Sequence, residues 1–273
     1  MFFWSHGVAT GEVGEGFLYA GKHVKIRGQT RLNTKTSSTV NQKAFTQNPH
    51  ELFFAKGFKP MPSPTRGILY RIFDWLNRLI CRVLYKVRPP SGSPLPESGP
   101  VLLVSDHSSY SDPMVLAATA GRPIIFLTAR EIYRRPFLGW FCKTVRYIPV
   151  RRDIQDVGAV RAMLRALSQG EVVALFPEGG IDEYRKEGGH LGIGYLALKT
   201  AAPVVPASIS WDKASPLTLG RSLCTPRKAT VRYSTPILFP SLAHPDREHI
   251  EQATARIMDS LRALRDSQTS TLC

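Results

Sequence analysis

The 273-residue chain has only four cysteines, Cys81, Cys142, Cys224 and Cys273, and no two of them are close in sequence. That excludes a CxxC zinc or redox pair and argues against a disulfide framework, so a reducing, cytosolic exposure is expected. The final Ser-Thr-Leu-Cys does not place a cysteine four residues from the end, so no prenylation box is present. No window of 18 or more residues is free of charge, and no spanning helix is expected. The N-terminus lacks a charged stretch followed by an apolar run, so no secretory signal is read there. Acidic residues are also few: 21 Asp and Glu stand against 36 Lys and Arg, for a net charge of +15. Residues 1–65 hold 8 basic and 3 acidic side chains, and residues 66–273 hold 28 and 18, so the excess is +5 and +10 and both parts are basic. Such a balance implies an anionic partner, either nucleic acid or an anionic lipid surface.

Hydrophobic residues make up 43% of the chain, enough for a sizeable core in one large domain with an extension. Residues 1–60 are rich in Gly, Thr, Asn, Gln and Ser and have weak periodicity; they read as disordered, or as an artefactual extension upstream of a start at Met61. Residues 66–87 are different. At about 100° per residue, Arg71, Asp74, Arg78, Arg82 and Lys86 gather within an arc of roughly 120°. Ile72, Phe73, Leu76, Leu79, Ile80, Val83 and Leu84 cover the opposite side, with Tyr70, Trp75 and Tyr85 near the boundaries. That pattern suits a helix lying in a lipid interface, and equally an amphipathic helix packed on a core. Residues 88–100, with five prolines beside Gly and Ser, read as a linker. The expected organisation is thus 1–60 as extension, 61–100 as interfacial helix and linker, and 101–270 as one globular domain.

Within 101–270, short apolar runs at 101–105, 124–128, 147–150, 172–176 and 204–209 read as strands, with 229–233 as an edge strand. Helical patterns fall between them, at the start marked by Ser111-Asp112-Pro113, at 136–143, over Val157–Leu167 ending at Gly170, at 190–200 and at 247–265. Strands alternating with helices imply an α/β fold: a single layered domain whose central, mostly parallel or mixed sheet is flanked by helices.

Three places carry chemistry. His107-Ser-Ser-Tyr-Ser-Asp112 follows the first strand and precedes a helix, at the rim where α/β proteins place ligands. Histidine is the usual base near neutral pH, and a carboxylate on its second nitrogen fixes the tautomer and supports the imidazolium. Phe176-Pro177-Glu178-Gly179 ends another strand, and places an acid on the same rim if the two strands are parallel. Arg151 and Arg152 close a stretch with seven basic residues between 130 and 152 (Arg130, Arg134, Arg135, Lys143, Arg146 and these two) against one acid, Glu131. It is suited to a phosphate-bearing substrate or to anionic headgroups. Val204-Val205-Pro206-Ala207 reads as a buried strand, with Pro206 arguing for an edge or a strand end.

Together these features resemble the glycerolipid acyltransferase family typified by 1-acyl-glycerol-3-phosphate acyltransferase, over residues 66–210. His107 and Asp112 match its His-x4-Asp motif, and Ile148-Pro149-Val150-Arg151-Arg152 is similar to its second. Phe176-Pro177-Glu178-Gly179 matches the core of the third, and Val205-Pro206-Ala207 resembles the fourth. The resemblance implies an O-acyltransferase of phospholipid biosynthesis, with acyl-CoA or acyl-ACP as co-substrate and no metal or other cofactor. It implies His107 as base, Asp112 as its orienting partner, and Arg151, Arg152, Glu178, Gly179 and Pro206 on the substrate side. The third motif usually continues Thr-Arg-Ser, where this chain has Gly180-Ile181-Asp182; Arg185 or Lys186 would then replace the missing phosphate-binding arginine. The implied acceptor is a lysolipid, 1-acyl-sn-glycerol-3-phosphate first and a non-phosphate lysolipid as the alternative. The implied setting is the cytoplasmic face of an anionic membrane, as a peripheral or monotopic protein. The competing reading is a non-enzymatic nucleic-acid binder. It rests on charge alone, since no zinc finger, RNP-type aromatic motif or KH-type loop is present.

Overall fold

In the computed structural model of the chain, the residues that can be described are 67–151, 156–177, 192–214 and 218–272, with backbone alone beyond 268. The proposed extension 1–60 lies outside them. Six strands form one sheet among these residues: β1 (Val101–Ser105), β2 (Ile124–Ala129), β3 (Ile148–Val150), β4 (Val172–Leu175), β5 (Val204–Trp211) and β6 (Ala229–Tyr233), in the order β3-β2-β4-β1-β5-β6. Every pair is parallel except β5 with β6. The helices are α1 (Ile68–Leu84), α2 (Asp112–Thr119), α3 (Arg130–Tyr133), α4 (Pro136–Thr144), α5 (Val157–Ser168), α6 (Gly192–Thr200), α7 (Leu219–Cys224) and α8 (Arg247–Leu272). The expected α/β layered fold is therefore present.

The central strands are apolar on both faces, as a covered parallel sheet requires. Along β1, Leu102 and Val104 join the core under α5, α6 and α8, whereas Val101 and Leu103 join the core under α2 and the end of α1. The period of two that sends alternate side chains to opposite faces thus feeds two cores from one strand. Gly194 of α6 sits where α8 crosses, and a Cβ there would overlap the Ile250 carbonyl oxygen and the Thr254 hydroxyl.

Two local expectations change. Pro206 is not at a sheet edge, since β5 lies between β1 and β6. The proline is tolerated because the β6 ladder begins only at Ala207–Tyr233, so no ladder bond needs its missing N–H. Its carbonyl still accepts from the Ser234 amide. The Pro-rich stretch after α1 is also more than a linker: Val87 and Leu95 belong to the core, and the Arg122 guanidinium holds the Pro96 and Gly99 carbonyls. No break in packing separates α1 from the rest, because Tyr85 at its C-cap is fully buried.

One side of α1 docks on the domain and the other is left exposed. Cys81 and Tyr85 face the core, Asn77 Nδ2 donates to the Met114 carbonyl, and Arg78 donates to the Ala118 carbonyl, so a partly polar side docks on α2. The large apolar residues Ile68, Leu69, Ile72, Trp75, Leu76, Leu79 and Val83 are left outside. Phe73 meets Trp140 and Phe141 of α4 edge-on, and Phe137 (84% exposed) and Trp140 extend the same apolar surface. Among the described residues, no helix is long and apolar enough to cross a membrane.

Candidate active site

β1 ends at Ser105, and the chain turns through His107 into α2 at the carboxyl edge of the sheet. Its neighbour β4 is parallel, with Val104 beside Leu175, so Phe176 leaves the sheet at the same edge. Asp112 lies in the first turn of α2 and points back into the loop. Its Oδ2 accepts from the backbone amides of Ser108 and Ser109, both at 2.7 Å, and lies 3.0 Å from His107 Nδ1. Its Oδ1 accepts the Trp211 indole N–H at 2.9 Å. Four donors converge on one side chain, which suits a carboxylate, an acceptor only. The expected N-cap residue Ser111 makes no cap bond. Its hydroxyl donates instead to the Ser222 carbonyl.

With Nδ1–H donated to Asp112, the lone pair of His107 lies on Nε2. The histidine side chain is 15% exposed and the aspartate 0%, so the imidazole is the member of the pair that can meet a ligand. Phe176 lies against the imidazole face, with centroids 4.1 Å apart and planes inclined by 20°. Phe176 of the Phe-Pro-Glu-Gly segment thus packs on the face of the ring. Phe176 continues through Phe126, Tyr147 and Phe141 to Phe73 of α1, a run of ring contacts ending at the exposed apolar surface.

Two side chains that the sequence reading missed complete the site. Trp211, at the end of β5, is fixed by an edge-to-face contact with Tyr85 (5.2 Å, 89°) and by the guanidinium of Arg227 (4.1 Å from the ring centre). A tryptophan ending a buried strand needs a partner for its N–H, and that was the available signal. Tyr85 in turn bonds Ser111 and the carbonyls of Ser222 and Leu223.

Of the expected substrate-side residues, Arg151 is described. Its side chain is exposed beyond β3 and lies 3.6 Å from Asp156, whose carboxylate takes the Arg151 and Ala159 amides. Those backbone bonds hold the Asp156 carboxyl below the usual range. Pro206 is buried inside β5 beside Val104. Arg152, Glu178, Gly179, Arg185 and Lys186 lie outside the described residues. Among the described residues, no three His, Cys, Asp or Glu side chains gather as a metal site.

Residues 90–210 match the profile of the Acyltransferase family, which spans both His107–Asp112 and Phe176. Over that segment the chain is similar to the glycerolipid acyltransferase family. Among its relatives is a lyso-ornithine lipid O-acyltransferase of Pseudomonas aeruginosa, 30% identical over 143 residues, 51% of this chain and 53% of that protein. A 1-acyl-sn-glycerol-3-phosphate acyltransferase of Streptococcus pneumoniae is 24% identical over 170 residues, 62% of this chain and 61% of that protein. One of the same name from Bacillus subtilis is 23% identical over 175 residues, 62% and 83%. The chain thus matches little more than half the length of the first two relatives. The crystal structure of the 1-acyl-sn-glycerophosphate acyltransferase of Thermotoga maritima shares the fold. It is 18% identical, with a TM-score of 0.53 over 83% of this chain and 86% of that one. The acyltransferase profile ends at residue 210, one residue before Trp211.

Proposed function

We propose that this protein transfers a fatty acyl group from an acyl thioester, on coenzyme A or acyl carrier protein, to the hydroxyl of a lysolipid. The observation that carries it is the His107–Asp112 pair: a mostly covered imidazole whose Nδ1 is held by a saturated, buried carboxylate, inside the segment that matches the Acyltransferase profile. His107 Nε2 takes the proton of the acceptor hydroxyl as that oxygen attacks the thioester carbonyl. The tetrahedral adduct collapses, the C–S bond breaks, and the imidazolium returns the proton to the leaving thiolate. Asp112 keeps the tautomer and offsets the transient positive charge. Arg151 and Arg152, with Glu178, Gly179, Arg185 and Lys186, bind the acceptor, and Pro206 shapes the strand beneath.

The acceptor we favour is 1-acyl-sn-glycerol-3-phosphate, matched by the basic residues around Arg151. A second reading, a lysolipid with an amino-acid headgroup, is favoured by Gly180-Ile181-Asp182 in place of the phosphate-binding sequence and by the lyso-ornithine lipid acyltransferases among the relatives. The exposed apolar side of α1 and α4, with Arg71, Arg82, Arg134, Arg135 and Lys143 exposed nearby, supports docking on an anionic membrane, at its cytoplasmic face. The test is an acyl-transfer assay on phosphate, amino-acid and zwitterionic lysolipids with both donor types. Turnover on the phosphate acceptor is expected to lead. Preference for lyso-ornithine lipid would select the second reading, and the absence of transfer to every acceptor would contradict both.

A further inference from the structure

Arg227 is 3% exposed, yet among the described residues its Nε and Nη1 have no hydrogen-bond acceptor. Only Nη2 is served, by the Ser109 hydroxyl at 3.0 Å, by the Ser222 carbonyl and hydroxyl, both at 3.3 Å, and by the Ser111 hydroxyl at 3.5 Å. A buried, half-satisfied cation is a costly way to hold a fold together, and an apolar side chain of similar shape would pack on Trp211 as well. Burial pushes the Arg227 guanidinium below the usual arginine range, while the nearby Tyr85, Asp112 and Asp212 pull it back up. What the guanidinium does have is a position: its Cζ lies 4.1 Å over the centre of the indole whose N–H is the partner of Asp112 Oδ1.

We propose that Trp211 and Arg227 are positioning residues for Asp112, forming a stack that sets the plane of the carboxylate and keeps it charged while His107 carries the proton. This rests on the reading of His107 and Asp112 as the acid–base pair. Oδ2 already takes two amides and the imidazole, so the carboxylate is hinged about that corner by its own loop. The indole N–H at Oδ1 is the contact that stops it turning. Ring contact with Tyr85 and the guanidinium of Arg227 over the indole stop Trp211 from turning in its place. The buried charge of Arg227 opposes transfer of the proton from His107 onward to Asp112, so the proton stays where the leaving thiolate can collect it.

The test compares Trp211→Phe, Arg227→Lys and Arg227→Met with wild type and His107→Ala in full-length protein. The readouts are kcat, KM for donor and acceptor, and the thermal midpoint. Trp211→Phe keeps a ring against Tyr85 and Arg227 and deletes only the N–H. It is expected to lower kcat by roughly 10–100-fold, as loss of a partner behind a directly acting group commonly does, with both KM values within about twofold. Arg227→Met should lower kcat similarly, and Arg227→Lys, which keeps the charge, should recover part of it. A folded Trp211→Phe protein with kcat within about twofold of wild type would overturn the inference. So would a loss in which kcat, KM and thermal midpoint all move together, since a merely structural role predicts that. If Arg227→Met does not fold, Trp211→Phe decides alone. A normal Trp211→Phe beside an inactive His107→Ala rejects this inference only, whereas a fully active His107→Ala rejects the acid–base pair itself.

Discussion

The loop around His107 and the outer side of α1 depart from the ordinary soluble-protein pattern in opposite ways. At the first, polar side chains are buried: Asp112, Ser109, Ser111, Ser222 and Arg227 are almost or fully inaccessible. At the second, apolar side chains are exposed: Trp75 is 64% and Val83 69% accessible, on the side of the helix opposite its core contacts. Buried polar groups are tolerated when nearly every one finds a partner, and here four donors meet one carboxylate. Exposed apolar groups in a contiguous patch mark an interaction surface, and the proposed membrane docking is a use that fits this one. The two departures lie on the same side of the sheet and are joined by ring contacts from Phe73 to Phe176. Chemistry in one region and substrate supply through the other is the economical account of both.

The comparison breaks most sharply at the polar site. His107→Ala is expected to lower kcat/KM by about 10³–10⁴, since base catalysis and nucleophile alignment fail together. Asp112→Asn should approach the same loss, about 10³-fold or more, while circular dichroism stays near wild type. Steady-state rates at saturating donor measure both, and an Asp112→Asn enzyme within tenfold of wild type would detach the aspartate from the chemistry.

A smaller effect is expected on the apolar side. Val83→Glu should weaken sedimentation with anionic phospholipid vesicles by roughly 10–100-fold, because the side chain forfeits about 1.5–3 kcal/mol of apolar transfer. Turnover of a water-soluble, short-chain lysolipid should remain as in wild type. Unchanged vesicle binding would mean that this surface meets something else. Retention on duplex DNA at the same salt, stronger than on vesicles, would favour the basic-binder reading instead. Smallest is a change remote from both regions. Gly194→Ala should destabilise the protein by about 1–3 kcal/mol by forcing α6 away from α8, read as a drop of several degrees in thermal midpoint with KM unchanged.

Much of this was legible from residue order. The strand runs of β1, β2, β4 and β5 are covered by helices on both faces, so they read as unbroken apolar stretches. His107 and Asp112 are close in sequence, so one turn brings them together and their spacing carries the signal. Trp211 and Arg227 were not legible, because they reach the site only through topology: β5 lies beside β1, and α7 brings the segment before β6 over the loop. The face that α1 presents to the core was also hidden. Its apolar stripe is the stronger one by pattern, yet α2 takes the side of Asn77, Arg78, Cys81 and Tyr85 through side-chain bonds that hydrophobic periodicity does not register. The C-terminal helix runs past the expected 265 to Leu272, held by Gln268, which bonds Ser208 inside the fold although the surrounding sequence is polar.

The central claim is that the imidazole and the carboxylate act as one device. It is tested most directly by measuring kcat/KM for His107→Ala, Asp112→Asn and the double variant against wild type. If Asp112 works through His107, the double variant is no slower than His107→Ala alone. Turnover that survives the loss of His107, or two losses that multiply in the double variant, would contradict the account.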